Sequence, residues 1–471
     1  MSRFTSKHCK RSSLLSLLFA PFVKYNGKAA SPLTTLSRTP TQRPIGDERN
    51  AWYAYWRTQG QPWRTEPEID TKRQAELALC RAIAPDIEQG IYPFSGMKLS
   101  RADVEWLLAT HESKHGPTHW SQEEREGIDL RGADLRRVNL QGLPLAGIHG
   151  GLIWFRGKPE TAEQREAAAV HLEGAALSRA DLRGANLRFA HLEGADLYWA
   201  HLERADLNGA YLEGADLHWA HLERAYLLDT HLEATDLRRI RLDSAKLENV
   251  VLSDENHISP QIADIQWGDV NLAVVEWSQM KMLGDEQQAR QKTREGVVKS
   301  KAVRLEEYEQ AVRANRQLAV VLQTQGLNED AARFAYRAQV LQKTVLRLQV
   351  LQAGISFRRC LQCLGAWLFS WFLFLLAGYG YKPSRSFLAY LLIISGFATA
   401  YYLFGHAVGP TLSPLGALVF SMTSFHGRGF FPGNNISLDD PLTVLAALEA
   451  LVGLIIEVTF IATLTQRLFN R

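Results

Sequence analysis

Leucine falls on every fifth residue from Leu172 to Leu252, seventeen consecutive units without a miss. A five-residue period fits neither the 3.6-residue helix nor the two-residue strand, and a fixed internal period marks repeat architecture. A small residue stands two places before most of these leucines, as at Ala175, Ala180, Ala195, Ala210 and Ala225. The pattern fits a square coil in which each unit forms one side, Leu and Ala point inward and three positions face water. Residues 190–209, AHLEGADLYWAHLERADLNG, run on into AYLEGADLHWAHLERAYLLD. The super-period is therefore twenty, four sides per turn.

This pattern resembles the pentapeptide-repeat family, which implies a right-handed quadrilateral β-helix over residues 128–252. An earlier block centred on Leu130, Leu135, Leu140 and Leu145 supplies another turn. Leu172 lies 42 residues after Leu130, not a multiple of five, so an insertion near 148–169 resets the register. Stacking at twenty places Glu173, Glu193, Glu213 and Glu233 in one row, about 4.8 Å apart by sheet spacing, and Trp199 beneath Trp219. The acidic row is read as a solvated face. The two tryptophans form an apolar patch suited to a protein partner. His171, His191, His201, His221 and His231 follow the repeat and lack the i, i+4 spacing of helical zinc sites, so they are read as surface residues and no metal is expected. Some members of the family mimic DNA and bind topoisomerase. Residues 170–252 hold fourteen acids against nine Lys or Arg, too mild an excess to favour that role, and a net charge of +3 gives no reason to expect a nucleic-acid partner.

The rest of the 471 residues calls for further domains. Residues 1–46 hold eight Lys or Arg and no acid, a disordered basic leader. Residues 47–127 read as a mostly helical, Trp-rich cap in which Ser100 and Asp103 open a helix. A connector, 253–284, leads to a helical hairpin, 285–353, broken at Gly326 and Asn328. Cys360 and Cys363 form a C-x-x-C at the head of an apolar run and are read as packing thiols.

Three apolar stretches follow: Leu361 to Gly378, Phe387 to Gly405 and Leu442 to Thr465. Spanning ~30 Å of hydrocarbon takes about 20 helical residues, so each qualifies by length. Basic residues flank the first on both sides, Arg358 and Arg359 before it and Lys382 and Arg385 after it. That favours an interfacial or inserted segment, 354–386, that does not cross. Between the second and third, Ser413 and Pro414 open a short helix, 414–424. Phe420-Ser-Met-Thr-Ser-Phe425, with Leu445-Ala-Ala-Leu-Glu-Ala-Leu-Val-Gly453 and Phe460-Ile-Ala-Thr-Leu464, resembles the pore and inner helices of two-transmembrane potassium channels.

The resemblance covers 387–471 and implies a pore domain with a filter at Ser424, Phe425, His426, Gly427, Arg428 and Gly429. No threonine directly precedes the glycines, and arginine stands where the family has tyrosine. Glu449, Gly453, Glu457 and Leu464 share one helical stripe and are read as pore-lining. A homo-oligomer follows, because one chain cannot enclose an axis, and the channel analogy implies a tetramer. The reading is thus a multi-pass membrane ion channel for a cation, the repeat domain cytoplasmic, with a membrane-anchored scaffold or a topoisomerase-directed mimic as alternatives. No phosphate loop or nucleophile elbow is present; neither enzyme activity nor a cofactor is expected.

Overall fold

The structure, a computed structural model, describes residues 42–111, 127–152, 161–253, 258–294, 296–351, 357–408, 412–427 and 441–469. The expected leader, residues 1–41 above all, lies outside them. The chain divides into a unit of residues 1–43 and one of residues 44–471, and every element below belongs to the second.

Three helices, α1 (Arg49–Thr58), α2 (Thr71–Arg81) and α3 (Arg101–Ala109), form the cap. Ser100 and Asp103 make a reciprocal capping box at the start of α3, satisfying amides that a helix terminus leaves orphaned. The buried Glu105 carboxylate accepts from the amides of Thr65 and Glu66 and from Arg101 Nε at 2.7 Å. The backbone at 96–99 pairs with the first turn of the coil: Gly96 N donates to Gly132 O at 2.8 Å and Leu99 N to Asp134 O at 3.0 Å. The cap thereby closes the open N-terminal edge of a β-structure, where unpaired groups would invite association.

The repeats wind as a parallel coil. His171 pairs with His191, Ala176 with Asp196, Asp181 with His201 and Asn186 with Asp206, each twenty residues on. The inward positions Leu177, Ala180, Leu182 and Ala185 are fully buried. One turn is stretched, since Asp134 pairs with His171, 37 residues on. The excess holds α4 (Ala162–Ala168). Longer paired stretches are β1 (Tyr226–Leu228) and β2 (Lys246–Glu248), in parallel register.

The coil does not stop at 252. Asp236 pairs with Gln261 and Arg241 with Gln266, a step of twenty-five, so five extra residues are accommodated and Ile262, Ile265 and Val270 continue the core. Two 3-10 turns follow, Leu272–Val274 and Trp277–Gln279.

The expected helix from 285 to 325 is broken. In its place stand α5 (Gly284–Arg290), a hairpin of β3 (Thr293–Arg294) and β4 (Val297–Val298), and α6 (Lys301–Thr324). Gly296, at φ 81°, takes the left-handed backbone of that tight turn, and Ser300 restarts the helix as its N-cap. α6 and α7 (Asn328–Val350) plug the C-terminal end of the coil: Leu318, Leu322 and Phe334 join its core. Gln325 accepts from Leu272 N and donates to Val270 O, both at 2.7 Å.

Four apolar helices complete the chain: α8 (Phe357–Ala377), α9 (Pro383–Val408), α10 (Pro414–Phe425) and α11 (Pro441–Phe469). Leu361–Gly380, Ser384–Phe404 and Leu442–Thr465 are long and apolar enough to cross a membrane. α7 and α8 run antiparallel, since Tyr336 meets Tyr381 (ring centroids 6.1 Å) while Lys343 Nζ lies 3.8 Å from the Phe374 ring centroid and 4.1 Å from that of Trp371. The Gly378-Tyr-Gly380 segment is the 3-10 turn that links α8 to α9.

Candidate functional site

The apolar C-terminal region is built around α10. Ser413 caps it by accepting from Gly416 N at 3.1 Å, with Pro414 in the first turn. Twelve residues make a rod of about 18 Å, some half of a bilayer's hydrocarbon. The rod is wedged between α9 and α11: Phe420 packs edge-on against Tyr401 (4.7 Å, 78°), and Phe425 against Tyr390 (4.9 Å, 78°).

A buried carboxyl ties the three helices together. Tyr401 Oη donates to Glu449 Oε2 at 2.7 Å, and Ser421 Oγ bonds both Glu449 Oε1 and the Ile394 carbonyl. Ser421 has a single hydroxyl proton. All three contacts are made at once when Ser421 donates to Ile394 O and a neutral Glu449 donates to Ser421 Oγ.

One turn on, a Cβ at Gly453 would lie 2.1 Å from the Phe425 carbonyl oxygen, so only glycine lets α11 approach the end of α10. A further turn on, His426 Nε2 lies 3.5 Å from Glu457 Oε1, and His426 Nδ1 lies 2.9 Å from Met422 O. Glu449, Gly453 and Glu457 thus share a stripe, as the sequence implied. Glu449 and Gly453, however, face α10 of their own chain rather than an open lumen. Glu457 and Leu464 are partly exposed, the latter at 40%. Of the residues that the sequence resemblance implied as a filter, Ser424 and Phe425 are buried at the rod's end, and His426 and Gly427 form the turn that follows it. Arg428 and Gly429 lie outside the described residues.

The coil carries two other clusters. Trp199 stacks on Trp219 (5.4 Å, 26°), and Arg239 Cζ lies 5.0 Å from the Trp219 ring. Both tryptophans occupy coil corners at positive φ, 57° and 64°. A bulky residue pays strain there, and 40% of Trp199 remains exposed.

The repeated His-Leu-Glu units place an imidazole and a carboxylate side by side on successive turns. His171 stacks on His191 (4.9 Å, 8°), and His201 on His221 (5.0 Å, 29°). His201 Nδ1 lies 3.1 Å from Glu203 Oε1, and this bond holds the imidazole above its ordinary value. Burial alone would lower His191, but contacts with Glu193 and Glu166 outweigh it and the group is raised. These clusters have no helical i, i+4 spacing; the twenty-residue period is the sequence signal that brings each pair onto successive turns.

Residues 168–204 and 215–254 match the family model described as pentapeptide repeats, in eight copies. Among solved structures the chain is similar to a pentapeptide repeat protein, Rfr23, from the cyanobacterium Cyanothece 51142, at 27% identity over 30% of this chain and 90% of that one, with a TM-score of 0.21. It is also similar to alr5209, a pentapeptide repeat protein from Nostoc PCC 7120, at 32% identity over 22% of this chain and 78% of that one, TM-score 0.19. A third is QnrB1, a plasmid-mediated fluoroquinolone resistance protein, at 14% identity over 41% and 87%, TM-score 0.20. No curated protein matches the chain.

Proposed function

We propose that this chain, which carries a pentapeptide-repeat domain, is the subunit of a homo-oligomeric membrane ion channel with a potassium-channel-like plan. The observation that carries this reading is α10, a half-span helix whose Ala417, Phe420, Ser421, Ser424 and Phe425 face packs against two helices of membrane-spanning length, while Leu415, Leu418, Val419 and Met422 on its other face are exposed. Within a bilayer, a helix that ends at half depth is tolerated only where protein buries it or a water-filled cavity meets it. Its C-terminal dipole end, at Phe425 and His426, leads into the glycine segment and favours a cation. One such loop cannot enclose an axis, so copies assemble around one, four by analogy with the channels it resembles.

The topology follows from α7. That helix bears Arg333, Arg337, Lys343 and Arg347 and ties Arg337 to Glu286 at 3.0 Å, so it belongs outside the lipid. α8 runs antiparallel against it and cannot cross without carrying it along. α8 then lies at the interface while α9 and α11 cross, and the coil and C-terminus share the cytoplasmic side. The coil, read as a right-handed quadrilateral β-helix, is the regulatory or interaction module, with Trp199 and Trp219 as its partner surface.

Purified chain reconstituted in liposomes tests this: cation flux and a cross-linked ladder are expected. Monomer alone would remove the pore, and an intact oligomer without flux would leave a membrane-anchored repeat scaffold. A reporter fused after Gln352 that is active only outside the cytoplasm would overturn the topology.

A further inference from the structure

The clusters on the coil carry a chemistry that the pore reading does not use. His171, Glu173 and His191 each place a ligand atom within 4.8 Å of the others, as do His201, Glu203 and His221. The backbone beneath each set is fixed by a parallel bridge, His171 to His191 and His201 to His221. We propose that these paired His-Leu-Glu rungs are binding sites for divalent transition-metal ions of the zinc class, two per chain on different sides of the coil.

Two imidazoles and a carboxylate form a donor set that suits zinc and its neighbours better than magnesium or calcium, which prefer oxygen alone. Zinc holds such donors at about 2.0–2.2 Å, which sets tetrahedral donors roughly 3.4 Å apart. The distances already made are close to that: His171 Nδ1 to Glu173 Oε1 is 3.2 Å, and His201 Nδ1 to Glu203 Oε1 is 3.1 Å. The third imidazole, His191 or His221, has only 17% or 20% of its side chain exposed and holds its own carboxylate, Glu193 Oε1 at 3.1 Å or Glu223 Oε1 at 3.4 Å, so it reaches the ion by giving up that contact and tilting within its stack. A water completes the shell.

Each run is closed by its neighbours, which limits the count among the described residues to two. Tyr211 stacks on His191 (5.0 Å, 9°) and offers no imidazole. Arg241 Nη1 lies 3.0 Å from Glu223 Oε1, so a cation already occupies the next rung beyond His221. The cluster of Glu213, His231 and Glu233 has one imidazole only, and in that of Asp216, His218 and Asp236 the last carboxylate is held by Arg238.

Isothermal titration of zinc into the full chain in detergent, stripped beforehand with chelator, tests the assignment. The pair His171→Gln and His191→Gln should remove one equivalent, and the pair His201→Gln and His221→Gln another. Glu203→Gln keeps the stack and the fold but should weaken one equivalent at least tenfold. Unchanged stoichiometry in the histidine pairs, or unchanged affinity in Glu203→Gln, would overturn the proposal. The readout does not depend on ion flux, so its failure and that of the channel reading are separate results.

Discussion

Replacing Gly453 by alanine should separate the end of α10 from α11. The added Cβ would sit 2.1 Å from the Phe425 carbonyl oxygen and 3.1 Å from the Phe425 side chain. An ordinary carbon–oxygen contact is about 3.3 Å, so the two backbones must part by roughly 1.2 Å, and the obstructing atom is main chain rather than a flexible side chain. Overpacking of this kind costs about 1–3 kcal/mol; a backbone clash belongs near the upper end. Alanine returns about 1 kcal/mol of helix propensity, leaving a net loss of about 2 kcal/mol. Gly365 in α8 and Gly396 in α9 are internal controls, because a Cβ at either meets nothing within 4 Å. Gly365→Ala and Gly396→Ala should be neutral or slightly stabilising by the same propensity term. Thermal unfolding of the three variants in detergent, followed by size-exclusion fluorescence, reads the difference. On the proposed channel reading, only Gly453→Ala should alter flux in liposomes, since it displaces the carbonyl that leads into the glycine segment. A Gly453→Ala protein that melts no lower than the Gly396→Ala protein would refute the packing of α11 on α10.

In the coil, Leu207 is fully buried, so Leu207→Ala should cost about 2–5 kcal/mol in chemical unfolding followed by circular dichroism, whereas Asn208→Ala, which removes the acceptor of Leu228 N at 2.8 Å, should cost about 0.5–1.5 kcal/mol. Asp285 is pushed up to about 6 by burial, while its Oδ2 accepts from Ile262 N at 2.7 Å. The folded value lies above the unfolded ~3.9, so the stabilisation is complete below about pH 4 and fades as pH rises through 6. Between pH 5 and 7.5 the loss should be about 1.4 kcal/mol; Asp285→Asn should lack that part of the slope, and an identical slope in the variant would contradict it. Tyr401→Phe and Glu449→Leu should be strongly non-additive in a double-mutant cycle, because the first leaves a buried acceptor unpaired at about 1–3 kcal/mol and the second removes that acceptor. Additive losses would mean the two groups do not bond.

Legibility followed the range of the determining contacts. One five-residue unit makes one side of the coil by itself, so the leucine period exposed the turn length, the inward positions and the register reset before Val170. Past Leu252 the same core continues through Ile262, Ile265 and Val270, but a step of twenty-five residues and the loss of leucine hid it. The long helix expected from 285 failed for a local reason: Thr293, Val297 and Val298 favour extended backbone and flank Gly296. The half-length of α10 was readable from Ser413, Pro414 and the run of apolar residues. What covers the stripe on α11 was not.

Periodicity assigns Glu449, Gly453 and Glu457 to one face, yet it says nothing of which helix lies over that face. The identity of the stripe residues holds the missing part. A carboxyl in lipid must find donors and acceptors, and Tyr401 and Ser421 lie on the two helices that can supply them. A glycine mid-helix suggests close backbone approach, and the Phe425 carbonyl fills it. Both signs point to packing. Along that one stripe Glu449 and Gly453 hold the body and end of α10 against α11, and Glu457, beyond them, meets His426 at 3.5 Å while staying partly exposed.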